Sequence, residues 1–166
     1  MIRPIVSDDR DKIIALIEAI GLFEPDEIAD VAHMLSERFS NTSTHRDTHR
    51  DTHRDMWFVD DESDNFVSVA YVAPERMTEG TWNLYLIAVH PRYQKQGRGA
   101  FLLNYVEQAL VERQARLLLV ETLALDEFDY VRKFYQKNGF EEEARIREFY
   151  AAGADKVIFW KALAQS

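Results

Sequence analysis

Two spacings of apolar residues alternate along this chain, and each predicts a different kind of element. Ile2–Val6 is a short apolar run that predicts a first strand. A helix is expected after Ser7, with apolar residues three and four apart until Gly21 ends it. A second helix begins near Pro25 and keeps the same spacing to Phe39. The first quarter of the chain therefore predicts one strand followed by two amphipathic helices.

The later apolar runs are short and bounded by turn residues, as is typical of strands. They fall at 56–59, 66–73, 82–91, 117–121, 143–150 and 156–163. Two more helices are expected, one after Gly97 and one after Asp126. The run LLLVE, residues 117–121, is nearly all apolar, which predicts a central strand buried on both faces. This order predicts a mixed α/β or α+β fold in a single domain over residues 1–166.

Composition and charge exclude several classes of function. The chain has 166 residues, no cysteine and a net charge of −9. The negative charge argues against nucleic-acid binding and weakly favours a cationic substrate. Without cysteine there is no thiolate metal site and no cysteine nucleophile. No apolar run approaches the roughly 20 residues that span a bilayer, and the N-terminus lacks a signal-peptide core. We therefore expect a cytoplasmic protein with no membrane partner.

The stretch AVHPRYQKQGRGAFLL, residues 88–103, carries the most readable chemistry. A strand ends at a proline, and a basic loop with two glycines leads directly into a helix. Gly97 and Gly99 permit tight turns, while Lys95 and Arg98 add positive charge next to the free amides of a helix N-terminus. This pattern predicts a cradle for a pyrophosphate. A purely structural glycine-rich helix start remains the alternative on spacing alone.

Two motifs resemble those of one known family. Gln94-x-x-Gly97-x-Gly99, after a strand that ends in IAVHP, resembles the acyl-CoA signature of the GNAT superfamily of N-acyltransferases. The run FYQKNGFEEEARI, residues 134–146, resembles the second motif of that superfamily, and the order of elements also matches. The resemblance implies a mostly antiparallel central sheet, splayed between its fourth and fifth strands and flanked by about four helices. It also implies acetyl-CoA as co-substrate, with no metal required.

The resemblance also implies which residues bind the co-substrate. The backbone at the end of the fourth strand would pair with the pantetheine arm, through Ile87, Ala88 and Val89. The glycine loop would hold the pyrophosphate, through Lys95, Gln96, Gly97, Arg98, Gly99 and Ala100.

Three polar residues are candidates for the chemistry of acyl transfer. Tyr135 matches the usual acid of the superfamily, although it could instead be a core aromatic residue. An alkylamine must lose a proton before it attacks a thioester, because its pKa is near ~10.4. Glu121, at the end of a strand that should border the cleft, could accept that proton directly or through water, or could serve only in a salt bridge. Asn83 lies near a position where some relatives carry a basic glutamate, but it cannot take a proton.

These features predict an N-acetyltransferase that moves an acetyl group from acetyl-CoA to a primary amine by direct attack. The acidic charge favours a small cationic amine as acceptor. The alternatives are acetylation of a protein N-terminus or lysine, and an acyl-CoA sensor without turnover; a homodimer is also possible. The predicted residues that line the acceptor site, some of which could instead pack in the core, are Trp57, Tyr71, Asn83 and Tyr85.

Residues 44–55 repeat the word THRD three times. As a helix, this segment would place His45, His49 and His53 on one face at a spacing that a metal accepts. Residues 40–55 contain no apolar side chain, so the segment cannot bury a face. We therefore predict a low-complexity polar loop without a metal site. In the superfamily this region often borders the acceptor cleft.

Overall fold

The computed structural model describes residues 1–40, 54–63 and 65–163, and its elements follow the predicted order. Within these ranges there are four helices, α1 (Arg10–Ile20), α2 (Pro25–Ser40), α3 (Arg98–Glu112) and α4 (Asp129–Lys137). The same described residues form seven strands, β1 (Ile2–Pro4), β2 (Met56–Glu62), β3 (Asn65–Pro74), β4 (Thr81–Val89), β5 (Leu117–Leu123), β6 (Glu141–Ala151) and β7 (Ala154–Ala162). The predicted mixed α/β class is confirmed.

The strands form one sheet in the order β1-β2-β3-β4-β5-β7-β6. β4 and β5 are parallel, whereas the pairs β1–β2, β5–β7 and β6–β7 are antiparallel. The β4–β5 register runs from Thr81 opposite Leu117 to Leu84 opposite Val120. β4 continues beyond this register to Val89, so the predicted splay between the fourth and fifth strands is confirmed.

Backbone contacts divide the chain into two compact units, of which the first comprises residues 1–71 and 86–106. Its core forms where the apolar faces of α1 and α2 meet β2 and β3. Ile13, Ile17, Leu35 and Val59 are fully buried there. This unit contains the glycine loop and the end of β4, and therefore all the predicted co-substrate residues.

The second unit comprises residues 72–85 and 107–166. Leu118 and Val120 of β5 are buried, but Leu117 and Leu119 are only half-buried. The prediction that this strand is buried on both faces is therefore wrong. Side chains alternate between the two faces of a strand, and only one face of β5 is fully covered. The predicted catalytic residues, Tyr135 and Glu121, both belong to this unit.

Several predictions concern segments or properties outside this description. Most of the THRD repeat, residues 44–53 with all three of its histidines, lies outside the described residues. In the described ranges, no group of three histidine or acidic side chains is arranged to hold a metal ion. None of the described helices is long and apolar enough to cross a membrane. β6 is an edge strand that is exposed along its whole length. The homodimer and the single domain over residues 1–166 stay predictions.

Candidate active site

The chain turns sharply where β4 ends, and local hydrogen bonds fix that turn. The backbone amide of His90 donates to the carbonyl of Val67 at 2.8 Å, and the ring Nδ1 of His90 accepts from the amide of Arg92 at 3.2 Å. The Gln94 side chain donates from Nε2 to the carbonyl of Val89 at 3.0 Å. One backbone acceptor at the end of β4 is thus already used within the loop. A ligand that pairs with this edge would share the Val89 carbonyl with Gln94.

The glycine loop then presents the start of α3. Lys95 and Gly97 adopt positive φ angles of 60° and 78°, which aligns the backbone for entry into the helix. The amide of Phe101 donates to the carbonyl of Gly97 at 3.0 Å, so the preceding amides of the first turn lack a carbonyl one turn back. Apart from Gly97 itself and its neighbours in the chain, no atom of the described residues lies within 4 Å of the position of a Cβ on Gly97. Free amides beside open space, with the exposed Lys95 nearby, fit an anionic phosphate group.

The side chain of Arg98 has a different role from its backbone amide. Its guanidinium donates to Oδ2 of Asp60 at 3.1 Å and also contacts the carboxylate of Glu62, both on β2. Asp60 is 1% exposed and the Arg98 side chain is 30% exposed, so the carboxylate end of this ion pair is shielded from water. The Arg98 charge is therefore largely offset by β2, and the amides of the first turn remain as the anion-binding groups.

Three polar side chains meet where β3 turns into β4. Glu75 follows β3, and its Oε1 accepts hydrogen bonds from Asn83 Nδ2 and from the Tyr85 hydroxyl, each at 3.0 Å. Asn83 is 3% exposed and Tyr85 is 54% exposed. Burial, together with the hydrogen bond to Glu75, raises the pKa of Tyr85 to about 12. The negative charge of Glu121 acts in the same direction on that pKa, so Glu121 belongs to the same electrostatic environment.

Glu121 is held by a lysine from β7. Its Oε2 lies 3.1 Å from the ammonium of Lys156, and its side chain is 36% exposed. Lys156 is itself almost buried, and its ammonium lies 3.5 Å from the centre of the Phe149 ring. The predicted base is therefore ion-paired. The salt bridge that was the alternative role of Glu121 is present.

Tyr135 lies inside an aromatic cluster of the second unit. It is 4% exposed, and its ring centroid lies 5.3 Å from that of Phe134, 5.5 Å from that of Phe140 and 5.8 Å from that of Phe159. Its hydroxyl makes no hydrogen bond within the described part of the chain. Burial raises the pKa of this hydroxyl well above its ordinary value, so the group keeps its proton at neutral pH. Tyr135 is thus a core aromatic residue that also carries a proton to donate.

Comparison with known proteins identifies the family. Residues 52–142 match the family model for the acetyltransferase (GNAT) domain. The chain belongs to the GNAT family. A GNAT-family protein from Desulfovibrio desulfuricans is 30% identical, with 99% of each chain covered and a TM-score of 0.88. A comparison with curated protein sequences finds no match.

More distant structures share the fold of this GNAT chain. A ribosomal-protein-alanine N-acetyltransferase from Brucella melitensis is 18% identical, with 98% of this chain and 99% of that chain covered and a TM-score of 0.76. An aminoglycoside 6'-N-acetyltransferase complexed with coenzyme A is 15% identical, with 100% and 98% covered and a TM-score of 0.75. The protein is an acyl-CoA-dependent N-acetyltransferase.

The predicted acceptor residues of this GNAT protein fall into two pairs. Asn83 and Tyr85 are brought together by Glu75. Trp57 is 2% exposed and stacks on Tyr71 with ring centroids 4.4 Å apart. Tyr71 also lines a cavity of about 300 Å³ whose other described walls are Met34, Glu37, Arg38, Arg54 and Asp55. Trp57 is therefore mainly a core residue, whereas Tyr71 lies at an opening beside the end of α2.

Glu75 is the residue that sequence reasoning missed. It lies in the turn APERMTEG and has the appearance of a solvated loop carboxylate. Asn83 and Tyr85 are two residues apart on β4, so their side chains lie on the same face of the strand. This spacing was the one feature of the sequence that indicated a shared partner. The turn returns the chain on itself, as shown by the amide of Glu75, which donates to the carbonyl of Thr81 at 2.8 Å. Only that return brings the carboxylate to the two β4 side chains.

Proposed function

We propose that this protein transfers an acetyl group from acetyl-CoA to a primary amine, with a small cationic amine as acceptor. The observation that carries the proposal is the start of α3 in a chain of the GNAT family. There the first-turn amides have no carbonyl one turn back, and the space at the Cβ position of Gly97, whose φ of 78° suits glycine, is open. A phosphate group needs N–H donors and room, and this segment supplies both.

The co-substrate is proposed to lie along the end of β4 and the glycine loop. The amides of Arg98, Gly99 and Ala100, with Lys95 and Gln96 at the rim, would hold the pyrophosphate. The backbone of Ile87, Ala88 and Val89 would pair with the pantetheine arm as an added strand does. Bound acetyl-CoA supplies the thioester carbonyl that the amine attacks and the thiol that is released.

Tyr135 is proposed to stabilise the leaving sulfur. Its hydroxyl is protonated at neutral pH because burial raises its pKa, so it can donate a hydrogen bond to a developing thiolate. The surrounding rings of Phe134, Phe140 and Phe159 fix its orientation. Donation from a buried and rigid phenol is stronger than donation from water because nearby solvent does not compete for it.

Glu121 is proposed to take the proton from the acceptor amine through a water molecule. Its side chain is 36% exposed, so water can reach the carboxylate beside Lys156. The ion pair holds the carboxylate in place but partly offsets its charge, which limits its strength as a base. If Glu121 has this role, the activity of the wild type falls on the acidic side of the pH–rate profile, and this fall is absent from the profile of Glu121→Gln. An unchanged acidic limb would exclude it.

The acceptor class follows from charge. The chain carries a net charge of −9, and a cationic amine is attracted to a negative protein. Tyr71, Asn83 and Tyr85 are proposed to contact the acceptor, and Trp57 to support Tyr71 from the core.

The proposal is tested by release of free thiol from acetyl-CoA in the presence of polyamines, aminoglycosides, amino acids and short peptides. We expect thiol release that depends on the amine and is highest with small polycations. Binding of acetyl-CoA without release for any amine would contradict the proposed function. Faster release with peptides than with small amines would place the acceptor among protein amino groups.

A further inference from the structure

The carboxylate of Glu75 is only partly satisfied by the protein. Both hydrogen bonds that it receives, from Asn83 and from Tyr85, go to the same oxygen, Oε1. The other oxygen, Oε2, receives no hydrogen bond from the described residues, and none of them forms an ion pair with Glu75. Both partners are neutral, so the negative charge is oriented by the protein but not neutralised by it.

Two other glutamates of the second unit are each neutralised by a lysine. Glu121 pairs with Lys156 at 3.1 Å, and Glu107 accepts from Lys161 with both oxygens at 2.8 Å. Glu75 differs in having rigid neutral donors and no cation. A partly buried carboxylate in this arrangement favours a cationic ligand.

Asn83 gives an independent indication of a missing donor. Asn83 is only 3% exposed, and its Oδ1 has no hydrogen-bond partner among the described residues. The carboxylate of Glu75 accepts only, so the Asn83 amide must direct its Nδ2 toward Glu75 and leave Oδ1 on the other side. A buried carbonyl oxygen without a donor is destabilising, so the fold keeps the Asn83 amide directed at Glu75 in spite of that cost.

We propose that Glu75 binds the ammonium group of the acceptor amine through its open oxygen, Oε2. This inference rests on the proposed function and adds the residue that selects a cationic acceptor. A carboxylate oxygen without a donor suits a primary ammonium, which has three N–H donors and no acceptor. An anionic or acceptor-rich ligand would be repelled by the same groups.

Tyr85 is a positioning residue in this arrangement. Its hydroxyl fixes Oε1 of Glu75, while its half-exposed ring provides an apolar surface beside the carboxylate. The alkyl part of an amine would pack on this ring while its ammonium reaches Glu75. The preferred acceptor is therefore an amine on a short alkyl chain.

The test is a nuclear magnetic resonance titration of ¹⁵N-labelled protein, following the side-chain amide of Asn83. The probe is butylammonium chloride; butanol is the uncharged control of the same chain length, and sodium chloride controls for ionic strength. We expect a saturable shift with butylammonium and none with butanol or sodium chloride. In Glu75→Gln the dissociation constant should rise about tenfold or more, since a charge-assisted hydrogen bond is lost.

Glu79→Gln is the matched control because Glu79 lies in the same turn and its side chain is exposed. It should bind butylammonium as the wild type does. An equal response to butanol, no saturable shift in the wild type, or unweakened binding by Glu75→Gln would overturn the proposal. The wild-type comparison decides even if Glu75→Gln does not fold. Binding without acetyl transfer would refute only the proposed function, whereas transfer that is insensitive to Glu75→Gln, with unchanged binding, would refute only this inference.

Discussion

Replacement of Tyr135 by phenylalanine separates the chemical role of this residue from its packing role. The ring contacts three phenylalanine side chains, and the hydroxyl makes no hydrogen bond within the described residues. Tyr135→Phe keeps the ring and breaks no described hydrogen bond, so we expect the free energy of unfolding at pH 7 to change by less than about 1 kcal/mol. Loss of a positioned donor lowers kcat by roughly 10²–10⁴-fold, which equals about 3–5 kcal/mol of transition-state stabilisation.

The raised pKa of Tyr135 adds a second, independent readout. In the unfolded chain the phenol ionises near pH ~10, whereas in the folded chain burial keeps it protonated to higher pH. The unfolded state therefore loses this proton first, and the stabilisation that is complete below pH ~10 is lost as pH rises toward the folded pKa. The loss approaches ~1.4 kcal/mol per pH unit for one group. Tyr135→Phe should lack this part of the alkaline destabilisation.

Two assays check these expectations. Steady-state thiol release gives kcat and KM with the best amine acceptor, and urea unfolding at pH 8 and pH 10.5 gives the two stabilities. We expect a large fall in kcat, a nearly unchanged KM for acetyl-CoA and a smaller loss of stability at pH 10.5 than in the wild type. Full kcat in a folded Tyr135→Phe protein would refute the donor role. If Tyr135→Phe loses as much stability between pH 8 and pH 10.5 as the wild type does, the raised pKa of the Tyr135 hydroxyl is refuted.

Three further predictions test the loop, the base and the ion pair. Gly97→Ala and Gly153→Ala impose similar strain, at φ values of 78° and 76° with no neighbour near the added Cβ, and each should lose about 1–2 kcal/mol of stability. Only Gly97→Ala should raise KM for acetyl-CoA. An equal rise of KM in the two variants would refute a role of the glycine loop in co-substrate binding. Glu121→Gln should abolish the acidic limb of the pH–rate profile. Asp60→Asn should lower the free energy of unfolding, measured with urea, by about 2 kcal/mol, because the buried side chain loses its charge opposite both Arg98 and the N-terminal ammonium. No loss would show that these ion pairs are not stabilising.

Local patterns in the sequence were sufficient for the order of elements and for the glycine loop. Apolar spacing depends only on the three-and-four repeat of a helix or the alternation of a strand, so eleven helices and strands could be placed in order. The loop from Lys95 to Ala100 is contiguous, and its anion-binding groups are backbone amides whose direction follows from the start of a helix. The burial of β5 was not predicted correctly, because the exposure of each face of a strand depends on which other elements pack against it.

The side-chain partners in the site were decided by the tertiary structure. Glu75 meets Asn83 and Tyr85 only because the turn after β3 returns the chain, and Glu121 meets Lys156 across 35 residues of sequence. Likewise, the sequence predicts that the Arg98 charge is available to a phosphate, but in the fold Arg98 pairs with Asp60 of β2, 38 residues away. Charge and hydrogen bonding act through space over a few ångströms. The sequence therefore determined which groups exist and which backbone amides are free, whereas the fold determined which charges are neutralised and which remain for a ligand.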